Sequence, residues 1–150
     1  MTDPATGQEV DRTYYVNVPD GVQEGAAVIF WFHGFCDDLS KQPFVDVGEE
    51  NGVITVYPQG MSDYSEAGYY SWNCGDNNKV NSCTTLAEPY CFDSCDAIGM
   101  CGSCNWYTCI DDVAFVKAMI AELKDYFKID ETKIYVSGES NGGMFVYYLS

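Results

Sequence analysis

Four apolar segments of the chain have the length and composition of β-strands. Residues 26–32 (AAVIFWF) are continuously apolar and residues 53–57 (VITVY) nearly so, which is typical of strands buried on both faces. Residues 12–19 are rich in Tyr and Val and run into a Pro-Asp-Gly turn, which predicts an edge strand. Residues 133–136 (KIYV) predict a fourth, shorter strand.

Three further segments have helical spacing. The clearest is 111–128, because its apolar residues recur at intervals of three and four, at Val113, Val116, Ile120, Leu123 and Phe127. Residues 40–51 predict a second helix that Gly52 terminates. A third begins at Gly142 and continues to the last residue of the sequence.

Residues 64–109 differ from the rest, since they are rich in Cys, Asn, Ser, Gly and Tyr and show no period. This composition predicts an insertion held by crosslinks. Elsewhere strands alternate with helices, which predicts an α/β fold with a mostly parallel sheet and helices on both faces. We therefore expect residues 1–150 to be the N-terminal portion of one domain that contains a cysteine-rich insertion at about 64–109.

The amino-acid composition of the chain argues against some classes of binding partner. The chain has 23 acidic and 7 basic residues and a formal net charge of −16, which repels phosphate backbones and argues against nucleic acid. The longest apolar run is too short to span a bilayer, so we expect no membrane partner. No pattern in the sequence indicates a cofactor, and the oligomeric state stays open.

The eight cysteines predict an oxidising compartment. All are disulfide candidates, and seven of them lie between residues 74 and 109, namely Cys74, Cys83, Cys91, Cys95, Cys101, Cys104 and Cys109. We expect the eighth, Cys36, to pair with a cysteine of the insertion. Cys101 and Cys104 form a C-x-x-C that could be half of a zinc site, but the other spacings are irregular and favour disulfides. No signal peptide is visible, although secretion is expected from the cysteine content.

Residues 138–142 read Gly-Glu-Ser-Asn-Gly, a G-x-S-x-G motif between a strand-like and a helix-like segment. That context is what a nucleophile elbow requires, in which a strained turn projects the serine hydroxyl above the sheet. We predict Ser140 as the nucleophile, with Gly138 and Gly142 leaving space for the close approach of strand and helix. The alternative is a glycine-rich turn with an incidental serine.

A second loop, His33-Gly34-Phe35, follows the apolar run 26–32. We predict that the backbone N–H groups of Phe35 and Asn141 form an oxyanion hole, with His33 and Gly34 supporting the loop. His33 is the only histidine and is an alternative general base. We favour a bracing role for it, because the base follows the nucleophile in chain order in folds with this motif. Residues 141–150 contain neither an acid nor a histidine, so the remaining triad members have no position here.

Several motifs together resemble the polyhydroxybutyrate depolymerase and feruloyl esterase group of secreted α/β-hydrolase esterases. They are RTYYVNVP, VIFWFHGF, VITVYPQG, the Trp72-Asn73 pair, DDVAFVKAMI and IDETKIYVSGESNGGMFVYYLS. The resemblance implies an α/β-hydrolase fold, truncated here after the elbow, and hydrolysis of polyester or carbohydrate-linked esters such as feruloyl or acetyl through an acyl-enzyme on Ser140. The family has a shorter link after its Trp-Asn pair, and its Asp and His have no counterparts here, so we expect this chain alone to be inactive.

Aromatic residues at the ends of the insertion predict a substrate rim formed by Trp72, Tyr70 and Trp106, with Tyr64 and Tyr69 nearby. They could instead fill a small disulfide-rich core. Four acidic residues of the insertion suggest calcium, but without regular ligand spacing, at Asp76, Glu88, Asp93 and Asp96. Two other functions stay open: a non-catalytic hydrolase-like module that binds a glycan or surface, and a serine peptidase of similar fold.

Overall fold

The computed structural model describes residues 1–3, 7, 9–63, 69–75, 92–100 and 107–150. Its strands and helices in chain order are β1 (Tyr14–Asn17), β2 (Val28–Phe32), α1 (Val45–Asn51), β3 (Ile54–Pro58), α2 (Asp93–Ala97), α3 (Asp112–Phe127), a 3-10 turn (Glu131–Lys133), β4 (Ile134–Gly138) and α4 (Asn141–Leu149). None of the described helices is both long and apolar enough to cross a membrane.

The described strands form one mixed four-stranded sheet in the order β1-β3-β2-β4. β2 pairs in parallel with β3 and β4, whereas β1 is antiparallel to β3 at the edge. The four strands predicted from the apolar segments are thus confirmed, with 26–32 in the interior and 12–19 at the edge. The α/β class and the mostly parallel sheet are confirmed as well.

One face of the sheet carries the main apolar core. Alternate residues of a strand point to opposite faces, and Phe30 of β2 lies beside Val56 of β3 in the parallel register. Both are fully buried against α3 and α4, in a cluster that includes Phe115, Met119 and Phe145. The Phe145 ring meets the Phe32 ring edge-on at 5.1 Å. α3 and α4 therefore cover the same face.

The opposite face is covered by α1. Trp31 meets Phe44 edge-on at 5.4 Å between ring centroids. A Cβ at Gly48 would lie 2.8 Å from Cγ2 of Thr55, so the helix backbone approaches β3 closely there. Helices consequently lie on both faces, as predicted. α1 begins at Val45 and not at residue 40, because Pro43 disfavours helical backbone at the residue before it.

α3 matches its predicted range, but its buried face is shifted. Asp111 caps the helix by accepting the N–H of Ala114 at 2.8 Å, and Lys128 ends it in the left-handed region. The fully buried positions are Phe115, Val116, Met119 and Leu123, with Val113, Ile120 and Phe127 only partly buried. The predicted stripe therefore omitted Phe115 and Met119, which lie at its centre.

Asp112, the first residue of α3, belongs to a buried ion pair. Its side chain is fully buried and accepts from Arg12 Nη2 at 2.6 Å. Burial raises the pKa of Asp112, while Arg12 and the N–H of Asn73 counter that shift. The Arg12 guanidinium lies 4.0 Å above the Phe115 ring. This buried ion pair joins the segment before β1 to the start of α3.

Part of the predicted insertion is described. It contains α2, which the sequence did not predict, and a disulfide between Cys95 and Cys109, which are 14 residues apart. A crosslink closing a loop of that length stabilises a fold by ~3 kcal/mol. Phe92 and Tyr107 are buried with the two half-cystines in a second apolar cluster. This part of the segment therefore has a small core of its own.

Candidate active site

The two predicted loops meet at one edge of the sheet. β2 and β4 are adjacent and parallel, with Phe32 opposite Gly138 in the register. Their carboxyl ends therefore bring His33 and Ser140 to the same edge. From β2 the chain passes to β3 on one side and later returns to β4 on the other side. Ligands of open α/β sheets bind outside strand ends where connections diverge in this way.

Ser140 forms the corner between β4 and α4. Its φ of 51° and ψ of −117° lie in a region that residues with a Cβ rarely adopt. Backbone hydrogen bonds hold both sides of the corner: the N–H of Glu139 donates to Phe32 O at 3.1 Å, and the N–H of Met144 donates to Ser140 O at 3.0 Å. The serine is exposed, and its side chain does not cap α4.

The corner is possible only because glycines surround it. A Cβ at Gly142 would lie 2.1 Å from the carbonyl oxygen of Phe32, and a Cβ at Gly138 would lie 2.6 Å from the carbonyl carbon of Gly142. Both clashes are with backbone, which cannot move aside as a flexible side chain can. The absence of these two side chains lets the start of α4 pack directly onto the end of β2.

The loop after β2 runs beside the corner. The position that a Cβ would occupy on buried Gly34 is 3.6 Å from Cβ of Ser140. The next residue, Phe35, is half-buried and packs against the apolar cluster around the Cys95–Cys109 disulfide. Its ring also stacks on Tyr69 at 5.9 Å between centroids. The loop therefore rests on the sheet on one side and on the cysteine-rich segment on the other.

His33 is buried, and both of its ring nitrogens have partners. Nδ1 lies 2.7 Å from Gly34 O, while Nε2 lies 2.9 Å from the N–H of Gly60 and 3.0 Å from Nε2 of Gln59. Burial lowers the pKa of His33, so the ring is neutral at neutral pH. The arrangement favours the bracing interpretation over a role as general base.

Asn141 has a structural role that its sequence position did not reveal. Its side chain is 4% exposed, and Oδ1 accepts from the N–H of Trp72 at 2.8 Å while Nδ2 donates to Trp72 O at 3.3 Å. Trp72 in turn donates its ring N–H to His33 O at 3.0 Å. The side chain of Asn141 thus fixes the chain at residue 72, and its backbone N–H stays at the first turn of α4.

A solved structure of an acetyl xylan esterase from Aspergillus awamori is similar to this chain, with a TM-score of 0.61 and 17% identity. The similarity covers 99% of this chain and 43% of that enzyme, so the chain spans less than half of its length. At this identity the likeness establishes the fold alone. No family model matches the chain, and no curated protein matches it either.

Charged side chains border Ser140, which the sequence analysis did not foresee. Lys41 Nζ lies 2.5 Å from Oε2 of Glu139, the residue before the serine, and 3.1 Å from Oδ2 of Asp37. All three side chains are about half exposed. The ion pairs link the loop after β2 to the corner after β4, and the two carboxylates leave the group with a net negative charge.

The predicted substrate rim requires a correction. Trp72 is fully buried, with its ring stacked on Phe145 at 5.5 Å, so it belongs to the core and not to an exposed rim. Tyr70 is half-buried beside the His33 ring, and its carbonyl oxygen accepts from the N–H of Cys36. Tyr69 is the more exposed neighbour. Trp106 and Tyr64 lie outside the described residues.

One cysteine also differs from prediction. Cys36 is an exposed free thiol, so it is not paired with any described cysteine of the insertion. Cys74 is buried, and its Sγ lies 3.4 Å from the carbonyl oxygens of Trp72 and Asn141, so it packs at the start of α4. The four cysteines outside the described residues are Cys83, Cys91, Cys101 and Cys104.

Metal ligands do not assemble within the described residues, where no three His, Cys, Asp or Glu side chains come together. Asp93 and Asp96 are exposed on α2. Asp76, Glu88 and the C-x-x-C at 101–104, considered above as calcium or zinc ligands, lie outside the described part of the chain.

Proposed function

We propose that this chain is the N-terminal portion of a serine esterase of the α/β-hydrolase type, with Ser140 as its nucleophile. The observation that carries the proposal is the exposed serine at positive φ between β4 and α4, directly beside Gly34. A strained serine at such a corner is the geometry of a nucleophile elbow. The fold similarity to an esterase gives further support.

In the proposed reaction, Oγ of Ser140 attacks the ester carbonyl carbon and loses its proton to a general base. The tetrahedral oxyanion accepts hydrogen bonds from the N–H groups of Phe35 and Asn141. Asn141 is the first residue of α4, where the helix dipole also favours negative charge. Collapse releases the alcohol and leaves an acyl-enzyme, which water then hydrolyses.

The general base and the carboxylate that orients it are assigned to sequence outside residues 1–150. His33 is an unsuitable base because its two ring nitrogens hold Gly34, Gly60 and Gln59. Asp or Glu followed by His is the expected order after the nucleophile. Residues 141–150 contain none of these types.

We further propose a carbohydrate-linked or polymeric ester as substrate and a secreted enzyme. The similar enzyme is named for an acetylated polysaccharide, and the negative group around Glu139 suits a neutral ester. The Cys95–Cys109 disulfide is compatible with an oxidising compartment.

Labelling with a fluorophosphonate probe tests the nucleophile. The full-length protein should be modified at Ser140, and Ser140→Ala should abolish the modification, whereas the exposed Ser40→Ala control should label normally. Labelling that persists in Ser140→Ala contradicts the proposal. Comparing acetyl, feruloyl and hydroxybutyrate esters with matched amides then separates an esterase from a peptidase. A folded full-length protein that takes no label would favour the non-catalytic module.

A further inference from the structure

The hydrogen bonds of His33 define its tautomer without reference to the reaction. The N–H of Gly60, 2.9 Å from Nε2, can only donate. Gln59 also presents a donor there, because its Oε1 accepts from the N–H of Leu39 at 3.1 Å and its Nε2 therefore faces the ring at 3.0 Å. Two donors converge on Nε2, so this nitrogen carries the lone pair.

The proton of the neutral ring consequently lies on Nδ1, which donates to Gly34 O at 2.7 Å. Gly34 O and the N–H of Phe35 belong to one peptide group, and none of the described peptide bonds is cis. In a trans peptide group the C=O and N–H point in opposite directions. Holding the carbonyl of Gly34 therefore also fixes the direction of the N–H of Phe35.

We propose that Gln59 is a positioning residue, which together with the N–H of Gly60 keeps His33 in the Nδ1–H tautomer and thereby orients the Phe35 N–H for the oxyanion. The link to the reaction rests on the proposed function. The hydrogen-bond relay from Gln59 through His33 to Gly34 does not. Gln59 acts through the ring of His33 and touches no reacting atom.

Residues 1–150 contain a single histidine, and comparing 15N spectra of the full-length protein and its His33→Gln variant assigns the signals of the His33 ring. At neutral pH we expect this imidazole to have a protonated Nδ1 and an unprotonated Nε2. An Nε2–H tautomer in the wild-type chain overturns the proposal without any variant. Asp37, Asp38 and Lys41 are the charges that act on this ring, and all of them are retained in the variants below.

Gln59→Glu is the decisive variant, because it replaces the donor at Nε2 by a carboxylate oxygen of the same shape. We expect His33 to gain a proton on Nε2, with its titration midpoint raised, and the Phe35 amide signal to move. Gln42→Glu is the matched control, since Gln42 donates to Leu39 O in the same loop without reaching His33. Equal His33 titrations in the two variants contradict the relay.

The kinetic part of the test uses the full-length protein. We expect Gln59→Glu to lower kcat and the rate of probe labelling by about 10- to 100-fold with little change in KM, less than the ~10²–10³-fold typical of losing an oxyanion donor outright. Gln42→Glu should stay within about twofold of wild type. If Gln59→Glu changes the titration but not these rates, the positioning role is wrong. If the wild type takes no label, the proposed function fails, and the tautomer measurement still decides the relay.

Discussion

Two buried polar clusters each include a residue of the segment 71–75, and they differ in charge. The neutral cluster consists of His33, Trp72 and Asn141, joined by hydrogen bonds of 2.8–3.3 Å. The ionic cluster consists of Arg12, Asn73 and Asp112, in which Asp112 accepts from both of the others at 2.6 Å. Each cluster thus ties the same short segment to a different helix.

The clusters also differ in how completely their polar atoms are satisfied. Both ring nitrogens of His33 have partners, whereas Nε and Nη1 of Arg12 are buried without a hydrogen-bond partner among the described residues. A buried ion pair carries a desolvation penalty that its attraction only partly offsets. We conclude that the neutral cluster sets the geometry of the candidate site, while the ionic cluster makes stability sensitive to losing one partner.

The largest expected effect comes from breaking the ionic cluster. Arg12→Ala leaves the carboxylate of Asp112 buried without its partner, which should lower the free energy of unfolding by ~3–5 kcal/mol. Urea unfolding measures this, with Lys124→Ala, which breaks an exposed ion pair with Glu131, as a control of small effect. Equal losses in the two variants would contradict the proposed contrast.

The pH dependence of the stability of Arg12→Ala is a second test of the difference between the two clusters. Without Arg12, the pKa of Asp112 rises further above its unfolded value, so the folded state binds more protons than the unfolded state. Stability of Arg12→Ala should therefore fall as the pH rises through that window. The deficit relative to wild type should be smaller near pH 4 than at pH 7, and a deficit independent of pH would argue against a charged Asp112.

Gly142→Ala tests the backbone frame that supports the neutral cluster. The new Cβ would lie 2.1 Å from Phe32 O and must push α4 away from β2. We expect a loss of ~2–3 kcal/mol, at the upper end for overpacking, together with the loss of probe labelling at Ser140. Gly143→Ala is the matched control, because its Cβ would lie 3.3 Å from the nearest backbone atom. Comparable unfolding midpoints in the two variants would show that the close approach of residue 142 to Phe32 O does not determine stability.

The neutral cluster should show its own pH dependence, of opposite sign. Burial lowers the pKa of His33, so the unfolded state binds more protons in the window below the unfolded value of about 6.5. The contribution of the neutral His33 ring to the free energy of unfolding is fully present above that pH. It is lost as the pH falls towards the folded pKa, by at most ~1.4 kcal/mol per pH unit for one proton. Unfolding of wild type and His33→Gln between pH 5 and 7 measures the difference, and parallel profiles would contradict it.

The smallest expected effect lies at the exposed ion pairs around Ser140. Lys41→Ala removes both pairs, yet exposed pairs contribute little, so the unfolding midpoint should hardly change. Its effect should appear in specificity, because Asp37 and Glu139 become unopposed. In the full-length protein, we expect the ratio of kcat/KM for an anionic ester to kcat/KM for a neutral ester to be lower in Lys41→Ala than in wild type. An equal ratio in the two proteins would show that these residues do not influence substrate choice.

The sequence predicted the features that depend on local pattern. Continuous apolar segments located β2 and β3, and the G-x-S-x-G motif between a strand and a helix located the corner at Ser140. Gly52 correctly marked the end of α1. In each case the signal and its physical cause lie within a few residues of one another, so no knowledge of distant contacts was needed.

The errors concern residues whose partners lie far away in the chain. Trp72 was assigned to the surface because its pairing with Asn141 joins residues 69 apart. The burial of Asp112 was not predicted, because its partner Arg12 is 100 residues away. A pattern read along the chain cannot distinguish a buried carboxylate with a partner from a solvated one, and it cannot show that the Cys36 thiol lacks a disulfide partner.

The close packing of α4 onto β2 has a consequence for how the sequence of such a protein can evolve. Positions 138 and 142 admit no side chain without displacing backbone, so substitution of either glycine is strongly disfavoured. Lys41 and Glu139, at the same corner, are about half exposed, and exposed ion pairs contribute little to stability, so both residues can vary at little cost to folding. We therefore expect the substrate preference of the proposed enzyme to diversify while the corner at Ser140 stays unaltered.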